Sequence, residues 1–306
     1  MKKFAIPLAM FPVLVCAGIL LYLSASRNNT HGKTFTVVTD QIGREVRIPK
    51  KPDRIVSLMP NNTEILFAIG AGPQVVGVSK NCNYPAEAQA LPHVAEFTLN
   101  GANLELIVAS KPDLVVASGE WMRPTIDALE QLGIPVVAVD PKTLDEVAKA
   151  IGLIGQATGH TEEAVVLSTK FRNDLAERQA RIDRTPSTLS VVYVVSTEQS
   201  VMVAGSKSFI GELIVLAGGK PVFPELAQEY PKVSDEDLLK RGVDVVFCPD
   251  HGGEEVSAQV KGRTGWGNIV AVRNNRVFTV SADLVSRPGP RLVEGLAEME
   301  RLLNAK

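Results

Sequence analysis

The chain is poor in what most catalytic and metal sites are made of. Its 306 residues hold three cysteines and four histidines. His31, His93, His160 and His251 stand singly, without the close pairing of a zinc site. No G-x-S-x-G elbow occurs, and "VASGE" and "AGSKS" lack its flanks, so nucleophilic catalysis finds no support. A formal net charge of −2 gives no reason to expect nucleic acid. No catalytic residue, resident metal or cofactor is expected. What remains, 45% hydrophobic and 22% charged residues, is a globular composition long enough for two lobes of roughly 120 residues each.

Lys2 and Lys3 precede "FAIPLAMFPVLVCAGILLYL", a run without charge. That is an export signal or a membrane anchor. Three fates fit it. Cleavage after Ser24–Ser26 would release a soluble protein. Lipidation at Cys16 is a second, although Val15 stands where that signal wants a small residue. Retention as an anchor is the third, with Pro7 and Pro12 distorting the span. Each fate puts the remainder in the periplasm or on the outer face of the cytoplasmic membrane. An exported protein tolerates a disulfide, and Cys82 with Cys248 could form one. The two fall in different lobes, which argues against the bridge.

After a leader over 1–34, "FTVVTDQIGREVRIP" alternates around a turn and reads as a hairpin. Strands are expected at Arg54–Leu58, Val75–Val78, Leu114–Ala117 and Val136–Val139, with helices at Thr63–Ile69, Leu104–Ser110 and Pro124–Leu132 between them. This alternation predicts an N-terminal α/β lobe over 35–142 with a mainly parallel sheet. Over 143–186 two helices follow, the second free of Gly and Pro for more than 20 residues and about 36 Å long. It reads as a strut to a second α/β lobe over 187–306. The two halves echo each other: "EILFAIGAG" matches "ELIVLAGG" in its apolar pattern, and Glu105 precedes Asp113 by the same eight residues that separate Glu236 from Asp244.

The stretch "SLMPNNTEILFAIGAG" from Ser57 to Gly72 reads as strand, loop and helix. Asn61 and Glu64 have the spacing of a capping box. A phosphate cradle is disfavoured, because Pro60 removes an amide where several are needed. At the carboxyl end of a parallel strand, the loop Pro60–Asn62 is placed where ligands bind.

Aromatic residues make up only 5% of the chain, so their positions are informative. Tyr84, Phe97, Trp121 and Tyr230 fall in expected loops rather than in apolar periods. Flat apolar walls of that kind suit a large planar ligand, although loop aromatics beside prolines can also simply staple a surface. Glu105 and Glu236 read singly as first-turn carboxylates favoured by the helix dipole. Their matched placement suggests a pair of acidic knobs that a symmetric partner could grip with arginines.

The segments "RIVSLMPNNTEILFAIGAG", "NYP", "NLELIVASKPDLVVA", the long helix, "SFIGELIVLAGG" and "RPGPRLVEGL" resemble the periplasmic substrate-binding proteins of cobalamin, iron-siderophore and haem ABC importers, the cobalamin-binding member above all. The resemblance implies two α/β lobes, each a mainly parallel sheet with flanking helices, joined by a single long helix. It implies a monomer that binds a metal chelate, here a corrinoid, between the lobes and delivers it to the importer's membrane subunits, with Glu105 and Glu236 as the docking residues. Together with the reading of the loops, it gives an expected ligand-binding set of Pro60, Asn61, Asn81, Cys82, Asn83, Tyr84, Phe97, Trp121, Met202, Tyr230, His251, Asp283 and Arg287. Asn83 stands where the cobalamin receptor's pattern has an aspartate, and Asn81 and Met202 stand where it has aromatic rings. A haem or ferric-siderophore receptor of the same fold is the alternative, and an exported α/β hydrolase is the rival from another class.

Overall fold

Asp40 makes the first turn. Its carboxylate accepts from the amides of Ile42 (3.2 Å) and Arg44 (2.8 Å), which folds β1 (Thr36–Thr39) back onto β2 (Glu45–Ile48) as an antiparallel hairpin. The computed structural model describes residues 35–96, 103–184, 188–198, 200–226, 228–250 and 256–305. The expectations for the apolar N-terminus, Phe97 and His251 lie outside them. Among the described residues no helix is long and apolar enough to cross a membrane.

From the hairpin the chain alternates: β3 (Ile55–Ser57), α1 (Pro60–Ala68), β4 (Val75–Ser79), α2 (Ala86–Gln89), β5 (His93–Ala95), α3 (Leu104–Ala109), β6 (Leu114–Ser118), α4 (Arg123–Gln131) and β7 (Val136–Val139). The five strands after the hairpin form a wholly parallel sheet, ordered β5-β4-β3-β6-β7. Every residue of β3 and β7 is buried, as strands covered on both faces require. The order reverses between β3 and β6, so the loops that follow these strands open a crevice.

The start of α1 differs from the capping-box expectation. Pro60 occupies its first turn, where a missing amide costs nothing, and Met59 takes the cap position without a side-chain bond. Asn61, Asn62 and Thr63 therefore lie inside the helix and stitch it to the sheet. Asn62 donates to the Ala117 carbonyl (2.9 Å), and Thr63 Oγ1 lies 2.8 Å from Ser57 Oγ.

Two helices then connect the lobes, α5 (Leu144–Thr158) and α6 (Thr161–Arg184). The connection is broader than one strut. Ile151, Ile154 and Ala157 of α5 pack in the N-terminal core, while Leu144, Val147 and Ala148 of the same helix pack in the C-terminal one. Ala164 and Phe171 of α6 divide in the same way. Ile151 and Ile154 are fully buried and contribute about 1.5–3 kcal/mol each. Gly155 lets the pair close up: a Cβ there would fall 2.2 Å from that of Ala164.

The second lobe contains β8 (Ser190–Ser196), β9 (Val201–Val203), α7 (Phe209–Leu216), β10 (Lys220–Pro221), β11 (Lys232–Val233), α8 (Asp235–Lys240), β12 (Val245–Asp250), α9 (Val256–Gly262), α10 (Val270–Arg273), β13 (Val277–Ser281), α11 (Ala282–Val285) and α12 (Leu292–Leu303). Its sheet runs β11-β9-β8-β12-β13, with β10 also on β8. The β8, β10, β12 and β13 pairings are parallel, and β9 and β11 are antiparallel additions at one edge.

The sequence echo is a structural one. Asp113 exchanges bonds with Arg54 at the mouth of β3, amide to carbonyl one way (2.9 Å) and amide to carboxylate the other (2.8 Å). Asp244 makes the same exchange with Ser190 at the start of β8 (2.9 and 2.8 Å). The two matched helices, α1 and α7, both end at a left-handed glycine, Gly70 (φ 81°) and Gly218 (φ 94°).

Candidate functional site

The carboxyl ends of strands from both sheets face each other across a cavity of about 880 Å³. The N-terminal lobe supplies Pro60 after β3 and Asn81 and Asn83 after β4. The other lobe supplies Asp250 at the end of β12, and Asp283 and Arg287 beyond β13.

A continuous polar network crosses the cavity's edge. Asn83 Nδ2 donates to Asp283 Oδ2 (2.8 Å), and Asn83 Oδ1 accepts from Arg287 Nη1 (2.6 Å). Arg287 also pairs with Asp283 (2.5 Å) and reaches the Asn81 carbonyl (3.4 Å). Behind it lies Glu64, 2% exposed on α1, whose Oε1 accepts from both Arg287 Nη1 (3.2 Å) and Arg291 Nη1 (3.3 Å). Burial pushes the Glu64 carboxyl above the ordinary glutamate range, and the two arginines oppose that shift without cancelling it.

Several residues expected on the cleft wall are elsewhere. Asn61 is 3% exposed and donates to Asn62, because the early start of α1 turns it inward. Cys82 is 1% exposed, with its sulfur 3.1 Å from Thr63 Oγ1 and 3.2 Å from Ser79 Oγ, so it belongs to the N-terminal core. Cys82 and Cys248 are free thiols, both buried. Tyr84 lines a different cavity, of about 790 Å³, beside the cleft and between α1, α6 and α12, where the Arg291 guanidinium lies 3.9 Å over its ring. Met202 is half-buried in β9, opposite Lys232 of β11.

Trp121 and Tyr230 come near a second bridge between the lobes. Lys142 pairs with Asp140 at the end of β7 (2.9 Å) and with Glu229 of the C-terminal lobe (3.2 Å). A Cβ on Gly119 would sit within 3.2 Å of both the Trp121 ring and the Asp140 carboxylate, which places the two side by side. Burial, then the Glu229 and Asp140 charges, push the Tyr230 phenol upward. Neither aromatic lines the 880 Å³ cavity.

Glu105 and Glu236 are exposed in the first turns of α3 and α8. Asn103 caps α3 by accepting from Leu106 N, and Ser234 caps α8 by accepting from Asp237 N. Glu236 also pairs with Lys240 (2.7 Å).

Comparison with known proteins bears on this two-lobed geometry. The sequence pattern of the periplasmic binding protein family matches residues 55–284, three quarters of the chain. The chain belongs to that family. This periplasmic binding protein is 35% identical over 268 residues to an uncharacterized ABC transporter substrate-binding lipoprotein, YvrC, of Bacillus subtilis, covering 86% of the chain and 83% of the relative. It is 31% identical to the vitamin B12-binding protein of Vibrio parahaemolyticus, covering 81% and 88%. Among solved structures, a "possible" iron-binding periplasmic solute-binding protein of Staphylococcus epidermidis superposes with a TM-score of 0.72 at 30% identity, covering 84% of this chain and all of that one. The family's two-lobed α/β architecture with a long connecting helix is the one seen here.

Sequence reasoning missed Glu64, Arg291 and Lys142 in this periplasmic binding protein. A signal for Glu64 was present: a carboxylate followed directly by "ILF" in an apolar helix needs a buried partner. "RPGPR" offers two arginines, and only the first drew notice.

Proposed function

We propose that this protein is the extracytoplasmic substrate-binding component of an ABC importer, and that it takes a corrinoid between its lobes and hands it to the membrane subunits. The observation that carries the ligand reading is the carboxamide of Asn83, held by Asp283 on its donor side and Arg287 on its acceptor side. A carboxylate acceptor beside a guanidinium donor complements a primary amide. A corrinoid is rimmed with such groups, and the same pair would repel one oxygen of a bare carboxylate. The 880 Å³ cavity is of ligand size, and the vitamin B12-binding relative supports the same class. Asn81, Asn83, Asp283 and Arg287 would hold the polar rim. The charge-free run after Lys2 and Lys3 would serve for export or anchoring.

The solved relative described as a possible iron-binding protein keeps a ferric chelate or haem as the second reading. Calorimetry at micromolar protein separates them. Saturable heat with cyanocobalamin, and none with haemin or a ferric siderophore, is the expected result. The reverse pattern overturns the corrinoid and leaves the receptor.

A further inference from the structure

We infer that Glu64 is a positioning residue, which holds the cleft arginine Arg287 in place from the opposite lobe and sets the spacing of the two lobes at the cleft. The inference rests on the receptor reading above but not on which chelate is bound.

The geometry is that of a hub. Glu64 sits on α1, fixed to the N-terminal sheet by the Asn62 and Thr63 contacts two and one residues earlier. Its Oε1 takes one guanidinium nitrogen from Arg287 and one from Arg291, four residues apart in the other lobe. Those arginines face different spaces: Arg287 lines the cleft and Arg291 lines the lateral cavity. Among the described residues, Glu64 Oε2 has no hydrogen-bond partner. All of the carboxylate's polar contacts thus run across the lobe boundary through one oxygen.

Arg287 has a choice of carboxylates, and that is why Glu64 matters. Asp283 lies on its own lobe, so a pair with Asp283 alone would let Arg287 travel with the C-terminal lobe. Among the described residues, its bonds to Glu64, Asn83 and the Asn81 carbonyl tie it across. Of these, Glu64 alone is a buried charge, the kind of partner whose loss leaves an arginine free to swing out to solvent. Arg291, packed on the Tyr84 ring, bonds to the same Oε1 and helps fix where that oxygen points.

The experiment compares wild type, Glu64→Gln and Glu87→Gln. Glu87 lines the lateral cavity, yet among the described residues it has no ion pair with either arginine, so it controls for loss of a nearby charge. Amide hydrogen exchange is followed by mass spectrometry in the whole chain, together with cyanocobalamin affinity. In Glu64→Gln, exchange is expected to rise several-fold in the peptides covering Asn81–Pro85 and Asp283–Arg291 while the sheet cores keep wild-type protection. Affinity is expected to fall about tenfold. Glu87→Gln should match wild type in both. A merely structural role would raise exchange throughout or leave affinity within twofold, and either result overturns the proposal. So does unchanged exchange in the two peptides. Should wild type bind no cyanocobalamin, the corrinoid reading fails by itself and the exchange pattern still decides the role of Glu64.

Discussion

Glu64 and Glu212 occupy matching places in the two lobes, each six residues before a left-handed glycine, and each reaches away from its own sheet. Glu64 accepts from Arg287 and Arg291 across the cleft. Glu212 accepts from the amide of Leu144 (2.6 Å), the first residue of α5. One repeat position serves twice, in the N-terminal lobe to grip the other lobe across the cleft and in the C-terminal lobe to hold the start of the connecting helix. Burial raises the pKa of both carboxyls.

The sign of that shift gives a pH prediction. With its folded pKa above the unfolded one, Glu64 binds its proton more tightly in the native state. Its contribution to stability is full below the ordinary glutamate range and is lost as pH rises through the folded value. Urea titrations across weakly acidic to neutral pH should show wild type losing stability relative to Glu64→Gln as pH increases. Parallel curves would contradict the assignment.

Docking should be separable from ligand capture. Glu105→Ala and Glu236→Ala are expected to leave cyanocobalamin affinity within twofold, since both side chains are exposed on α3 and α8 and neither lines the cleft. Each should weaken binding to the membrane subunits, by about 2–5 kcal/mol where the charge pair is well buried. Uptake that is unchanged in the double mutant removes the docking role.

Removing the amide-binding carboxylate should be felt at the ligand. Asp283→Ala is expected to lower corrinoid affinity about tenfold, equivalent to about 1.4 kcal/mol. Calorimetry reads it directly, and wild-type affinity in the variant would detach Asp283 from the site.

The two thiols should be inert in the folded protein. Cys82 and Cys248 are both buried away from reagent, and burial pushes the Cys248 thiol up to about 12, so that residue holds almost no thiolate near neutral pH. Mass spectrometry after brief iodoacetamide treatment should find both unmodified until denaturant is added. Rapid native labelling at either would show an open core.

The helix pair supplies a packing prediction. Gly155→Ala would push a methyl against Ala164 and the His160 carbonyl, and is expected to destabilise the protein by about 1–3 kcal/mol. Thermal unfolding measures the loss.

Much of the architecture could be read from the sequence, because strands buried on both faces appear as continuous apolar runs. Val136–Val139 was expected and found to the residue, and Val75–Val78 missed only Ser79. The long helix was announced by the length of its Gly- and Pro-free run. The site was less legible. The spacing of Asn61 and Glu64 satisfies both a helix cap and a helix interior, and Pro60 decided for the interior by starting α1 early. Local spacing also could not show that Cys82 folds inward behind Thr63, or that Tyr84 faces Arg291 rather than the cleft. Those outcomes depend on the other lobe or on contacts some twenty residues away.

The two-helix connection has a consequence for traffic at the membrane. Because α5 and α6 are each rooted in both cores, the tips bearing Glu105 and Glu236 are expected to move little relative to each other when the cleft fills. A membrane partner that gripped those tips, as proposed, would then meet the same outline from loaded and empty receptors, and the empty ones would compete for the socket. Uptake would saturate with the loaded fraction of the receptor pool rather than with its size, and overproducing the receptor at limiting ligand would slow import instead of speeding it.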